Sequence, residues 1–174
     1  GATAPGPDHV SATGGVVGRG TPLPQAEARH PDDDDQADKY ELAGERLEAA
    51  GLAWYEISNW AVPGHECRHN LLYWTGADWW GVGPGAHSHV GGVRWWNVRH
   101  PAAYAERIAA RVSPAHGREL LDAETRRVER VLLELRLRDG LPLDVLDDAG
   151  RAAVEAQLEH GLATLEDDRL VLTL

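Results

Sequence analysis

Within six residues, His69-Asn70-Leu71-Leu72-Tyr73-Trp74 brings together an imidazole, a carboxamide and two large rings. An imidazole can ligate iron, and rings beside it can lie flat on a macrocycle, so His69, Tyr73 and Trp74 make a candidate haem contact. Side-chain chemistry alone leaves a competitor ahead: a short buried strand whose His and Asn satisfy backbone groups. The surroundings favour a ligand surface over plain core. All seven tryptophans, the lone Cys67 and a run of glycines fall between Trp54 and Trp96. Rings supply area for stacking, and glycines let backbone approach a ligand closely.

A second cluster is Gly81-Val82-Gly83-Pro84-Gly85-Ala86, which has the letters of a dinucleotide fingerprint. That fingerprint needs a helix next, with its N-terminus facing a pyrophosphate. His87-Ser88-His89-Val90-Gly91-Gly92 follows and carries no helical stripe, so a dinucleotide site is rejected. A strand end open to a cofactor and a tight turn remain equally compatible with the spacing. His65, Cys67 and His69 alternate, as do His87 and His89. Alternate residues of an extended segment share a face, yet a zinc site wants four ligands and the chain has no second Cys. Ser58, Ser88 and Ser113 lack the strand-to-helix elbow of a hydrolase nucleophile, and Glu56 and Asp78 have no acidic partner nearby in sequence.

The elements that must position these residues read as α/β. Pro31 and the aspartates 32–35 open a helix closed by Gly51, with Tyr40, Ala43 and Leu47 at helical spacing. A strand is predicted over Leu52 to Ser58, and short buried strands over Leu71 to Trp74 and Trp79 to Val82. Gly91-Gly92 turns into a strand over Val93 to Asn97, and Pro101 starts a helix running to about Val112. Pro7 to Ala12 offers at most a short strand, and Gly14, Gly15, Gly18 and Gly20 break any period after it. Ser113 to Arg118, with Pro114 and Gly117 as breakers, reads as a linker, so the expected domains are 1–112 and 113–174. The second contains helices over Asp122 to Gly140, Pro142 to Asp148 and Arg151 to His160. A hairpin with Asp167-Asp168 at its tip completes a winged-helix-like pattern.

Composition excludes whole classes of function. The net charge of −11 opposes a general nucleic-acid binder, and Leu120 to Leu174 holds seven Arg against thirteen acidic residues. A docking role for that tail is therefore ahead of a DNA-binding one. One cysteine allows no internal disulfide, and there is no membrane-length apolar run, so a cytoplasmic location is expected. There is no Met and no Phe, and Lys39 is the only lysine among many arginines. Those features suggest part of a longer protein.

The strings YEISNWAVPGHECRHNLLYW (55–74), GVGPGAHS (81–88), RWWN (94–97) and HPAAYAERI (100–108) resemble radical S-adenosylmethionine proteins related to oxygen-independent coproporphyrinogen III oxidase. Within that family they are closer to the haem chaperone branch, whose HNxxYW string is matched letter for letter by His69, Asn70, Tyr73 and Trp74. The resemblance implies the C-terminal part of a partial (β/α) radical SAM barrel followed by a mostly helical, winged-helix-like domain. It implies haem as ligand, with His69 as candidate axial ligand and metal contact, and S-adenosylmethionine lined by Gly83, Gly85, Ala86 and His87. It also implies a 4Fe–4S cluster in the full-length parent, although the cluster cysteines are absent here, so this chain alone is expected to be inactive. The partner it implies is a haem-acceptor protein, with respiratory-chain haem proteins as candidates and no nucleic acid. Peripheral membrane association and a homodimer of the parent are further expectations. Two alternatives stand beside this reading: the oxidase of porphyrin biosynthesis, and a winged-helix interaction module. The family usually has an aromatic residue soon after Ser11-Ala12, and Thr13-Gly14-Gly15 puts the first expected barrel strand in question.

Overall fold

A computed structural model describes residues 6–13 and 32–173 of the chain. The expectations placed on Gly14 to Gln25 and on Pro31 lie outside the described residues. The described residues form two compact units that divide between Cys67 and Arg68.

In the first unit, α1 (Asp33–Ala49) follows the predicted acidic start, with Asp33, Asp34 and Asp35 in its first turn. Carboxylates there offset the positive end of the helix dipole. The helix stops at Gly51, whose φ of 87° suits a residue without Cβ. One strand precedes this helix, β1 (His9–Ser11), and two follow it, β2 (Ala53–Glu56) and β3 (Asn59–Ala61). They form an antiparallel sheet in the order β1-β3-β2, with Val10 opposite Trp60 and Trp54 opposite Trp60. The single strand expected over Leu52 to Ser58 is thus a shorter strand, a turn and a second strand that the sequence reading missed. Leu52, Trp54 and Trp60 form the core, covered by Tyr40 and Leu47 of α1 and by Val10. Burial lifts the Tyr40 hydroxyl above its ordinary pKa.

The second unit begins with α2 (Arg68–Trp74), where a strand was expected over Leu71 to Trp74. Four apolar letters are too few for period to decide between helix and strand. The helix supplies what the letters lack: an i,i+4 hydrogen bond between His69 and Tyr73, and a close at Gly76 with φ 62°. Trp79 to Val82 is not a strand either, and contributes only a bridge between Trp79 and His89. β5 (Val93–Asn97) follows the expected turn at Gly91-Gly92, and its hairpin partner is β4 (His87–Val90), a strand that was not predicted. Both glycines have positive φ, as a two-residue turn of this twist requires.

α3 (Pro101–Ala109) comes next, with Pro101 at the start as expected. The predicted linker is instead β6 (Ala115–Leu120), the third strand of a β4-β5-β6 sheet. Gly117 is needed there because a Cβ would stand 2.6 Å from the Trp96 ring across the ladder. The breaker of the sequence reading is a packing requirement.

The tail has α4 (Ala123–Glu134), β7 (Leu141–Pro142), a 3-10 turn at Leu143–Val145, α5 (Asp148–Glu159), β8 (Ala163–Glu166) and β9 (Arg169–Leu172). The helix predicted to Gly140 ends at Glu134, and the one predicted over Pro142 to Asp148 shrinks to the 3-10 turn. Arg127 links the start of α4 to the start of α5 by pairing with Glu124 at 2.6 Å and Asp147 at 2.8 Å. The hairpin tip is as expected, with Asp167 and Asp168 both at positive φ. Leu141, Val145 and Leu146 make the core of this part, with Val131 of α4 and Leu135 just after it packed against it. Among the described residues, no helix is long and apolar enough to cross a membrane.

Candidate functional site

Helix α2 leaves His69, Leu72 and Tyr73 exposed and Asn70, Leu71 and Trp74 half-buried, with none of its residues fully buried. One turn apart, His69 and Tyr73 face each other, with the Tyr73 hydroxyl 3.1 Å from His69 Nε2 and the rings edge to face. Tyr73 is 40% exposed. Trp74, on another side of the helix, has the Arg136 guanidinium over its ring at 6.0 Å. The buried strand that competed with a ligand surface is therefore replaced by an exposed helix.

The rings continue beyond the helix. Tyr73 lies 4.7 Å from Trp79, and Trp79 lies 4.9 Å from His89. His89 is buried; its Nδ1 sits 3.2 Å from the Ala77 carbonyl, and its Nε2 has no partner among the described residues. His69, Tyr73, Trp79 and His89 thus form one column, although only the first two belong to the string that sequence reading singled out. The signal for the others was the tryptophan density itself.

The glycine stretch folds into a turn whose amides are already engaged. Gly81 N donates to Ser88 Oγ at 2.9 Å, Gly83 N to Tyr104 Oη at 3.2 Å, Gly85 N to Val98 O at 2.8 Å and Ala86 N to Gly83 O at 3.3 Å. Asn97 closes the turn by donating from Nδ2 to Gly83 O at 2.9 Å. The stretch therefore has shape to offer a ligand but no spare amide at these four positions. Its tightness has a cause: a Cβ on Gly81 would lie 2.0 Å from the His87 carbonyl oxygen. His87 is exposed and stacks on Trp96 at 6.0 Å between centroids.

Helix α2 starts at Arg68, so the extended alternation ends before His69, and His65 stands 3.5 Å from Asp8. No group of three His, Cys, Asp or Glu side chains is placed to hold a metal ion among the described residues. A 4Fe–4S cluster of the expected kind needs three thiolates, and the chain has Cys67 alone, so these residues do not fit it. Sequence reading also left Glu56 isolated. The structure buries it at 1% exposure, where Asn59 Nδ2 donates to it and Ser11 Oγ donates to Asn59.

No family model matches the chain. Over 172 residues, 97% of its length, it is 54% identical to the heme chaperone HemW of Mycobacterium tuberculosis (strain ATCC 25618 / H37Rv), of which the match spans 44%. It is 36% identical over 111 residues to the heme chaperone HemW of Bacillus subtilis (strain 168), covering 64% of this chain and 29% of that protein. Among solved structures, coproporphyrinogen III oxidase (HemN) from Escherichia coli, a radical SAM enzyme, is similar with a TM-score of 0.61. That likeness covers 84% of this chain and 39% of that one at 15% identity, and shows the α/β fold alone. The chain belongs to the heme chaperone HemW family of radical SAM proteins, and spans less than half the length of the curated relatives it matches.

Proposed function

We propose that this chain is the haem-contacting portion of a protein that binds haem and passes it to an acceptor protein. The observation that carries the reading is the exposed pair on α2, where His69 and Tyr73 stand side by side with an imidazole nitrogen at the surface. His69 is the axial ligand in this reading, Tyr73 and Trp74 are ring contacts, and Asn70 orients the group. Ring stacking and one iron–nitrogen bond need an open face, which a buried strand lacks. Iron on Nε2 displaces the Tyr73 hydroxyl, so the hydrogen bond keeps the imidazole in place until haem arrives. The names of the relatives support haem as cargo.

In this reading the chain through β6 corresponds to the C-terminal portion of the radical SAM barrel and the part from α4 onward to a winged-helix-like domain, the expected boundary at 112/113 moving because β6 pairs with β5. Gly83, Gly85, Ala86 and His87 line the S-adenosylmethionine side through shape and the His87 ring rather than through amide donors. Haem titration of the full chain tests the central claim. A saturable Soret shift is expected, with affinity lowered about tenfold or more in His69→Ala, the scale of one lost ligand or outer partner. An unchanged spectrum and affinity in that variant removes His69 as ligand.

A further inference from the structure

The β4-β5-β6 sheet has two faces, and they carry different rings. Side chains alternate along a strand, and Trp79 and Trp80 are adjacent in an extended segment beside it. Trp79 joins His89 and Tyr73. Trp80 turns the other way and meets the Trp95 ring edge to face at 4.9 Å. The first face belongs to the haem reading above. The second holds a cavity of about 660 Å³, within the roughly 300–1,000 Å³ typical of small-molecule sites.

The cavity walls are apolar: Trp80, Val82, Val93, Trp95, Tyr104 and Ile108. Trp80 is 70% exposed and Val82 is 82% exposed, which is unusual for side chains of that size and marks a surface meant to be covered. The charge is of one sign. The chain carries 28 acidic residues, yet none lines this cavity, whereas Arg118 and His116 do. Arg118 lies directly across the ladder from Trp95 and makes no ion pair or hydrogen bond among the described residues. Its neighbour Arg94, in contrast, is bound to Glu119 at 2.5 Å and Glu129 at 3.0 Å. A guanidinium left free beside an exposed indole suits a flat apolar ligand that carries a carboxylate.

We infer that this cavity is a second tetrapyrrole site, taking a porphyrin against the contacting Trp80 and Trp95 rings with a propionate on Arg118. The ligand class rests on the haem reading, but the site does not use His69 or iron. A tetrapyrrole can thus sit on either side of the Trp79-Trp80 segment, one side reading the metal and the other reading the ring and its carboxylates.

Metal-free protoporphyrin IX separates the two sites, because it cannot ligate His69. With the full chain, its emission should rise and saturate on binding. Trp80→Ala and Arg118→Glu should each weaken that binding about tenfold or more, the scale of losing one charge-assisted contact. His69→Ala should leave it unchanged. Trp80 and Arg118 are exposed, so both variants should keep the wild-type circular dichroism spectrum. Protoporphyrin that fails to bind, or binds equally well to both variants, overturns the second site. So does a concentration-dependent dimer that Trp80→Ala abolishes without any porphyrin effect, since a second copy then covers the cavity. If haem binds through His69 while protoporphyrin does not bind, only this inference fails. If protoporphyrin binding depends on Trp80 and Arg118 while haem binding ignores His69, only the α2 reading fails.

Discussion

Two of the tryptophans lie in the first unit and five in the second, and the two sets are used differently. Trp54 and Trp60 face each other across a two-strand ladder and disappear into a core; Trp60 is 1% exposed. Tyr40 tilts against Trp60 at 5.3 Å and closes the remaining side. Trp74, Trp79, Trp80, Trp95 and Trp96 are all at least partly open, and their partners are other rings, histidines or a guanidinium. A buried indole contributes through area removed from water; an open one keeps that area for something else to cover. Tryptophan density in the sequence therefore marked two structures at once, a packed sheet and an open, ring-lined surface.

The largest expected effect tests that division. Trp60→Ala should cost about 3–5 kcal/mol, because the core around it cannot collapse onto the space left. Trp80→Ala should cost no more than about 1.5 kcal/mol, the worth of one ring pair. Denaturant midpoints of the two variants measure the difference. Equal losses would mean that Trp80 is structural, and the open surface would lose its meaning.

Legibility followed the same line. Helix α1 could be read because acidic residues and Gly51 bracket it, and β5 and the β8-β9 hairpin because Gly91-Gly92 and Asp167-Asp168 are turn chemistry. These are local signals. The HNLLYW string was legible as a site candidate but not as a helix, since its short apolar run fits either period. β6 was missed because Gly117 reads as a breaker when its Trp96 neighbour across the ladder is unknown. His89, Trp79 and Arg118 gain their significance from partners on neighbouring elements, which no spacing rule conveys. Glu56 read as isolated because its partner is an amide, Asn59, which is itself held by Ser11 from 48 residues away.

A smaller effect sharpens the picture of the open surface. The Tyr73 hydroxyl occupies the nitrogen that haem iron would take. Tyr73→Phe keeps the ring and removes the competitor, so haem affinity should hold or rise by up to about tenfold, the scale of one hydrogen bond. Tyr73→Ala removes the ring as well and should lower affinity. Paired titrations read the contrast. A Tyr73→Phe variant as weak as Tyr73→Ala would make the hydroxyl, not the ring, the haem contact.

The smallest effect concerns the helix that supports that surface. α4 packs against α2, and Asp122 caps α4 by accepting from Thr125 N at 2.7 Å. That backbone hydrogen bond, above all, holds the Asp122 carboxyl below its ordinary pKa. A folded-state pKa below the unfolded one means a contribution fully present above the unfolded value and lost as pH falls through the folded value. Asn caps as well as Asp but does not titrate in this range. Wild type should therefore melt above Asp122→Asn at neutral pH, where the charge also favours the helix N-terminus, and the gap should close on acidification below about pH 4. Thermal melts of both proteins across that range measure it. A gap that stays constant with pH would show that the cap acts through its hydrogen bond alone. The charge at the head of α4 would then be irrelevant to holding α2 and its rings in place.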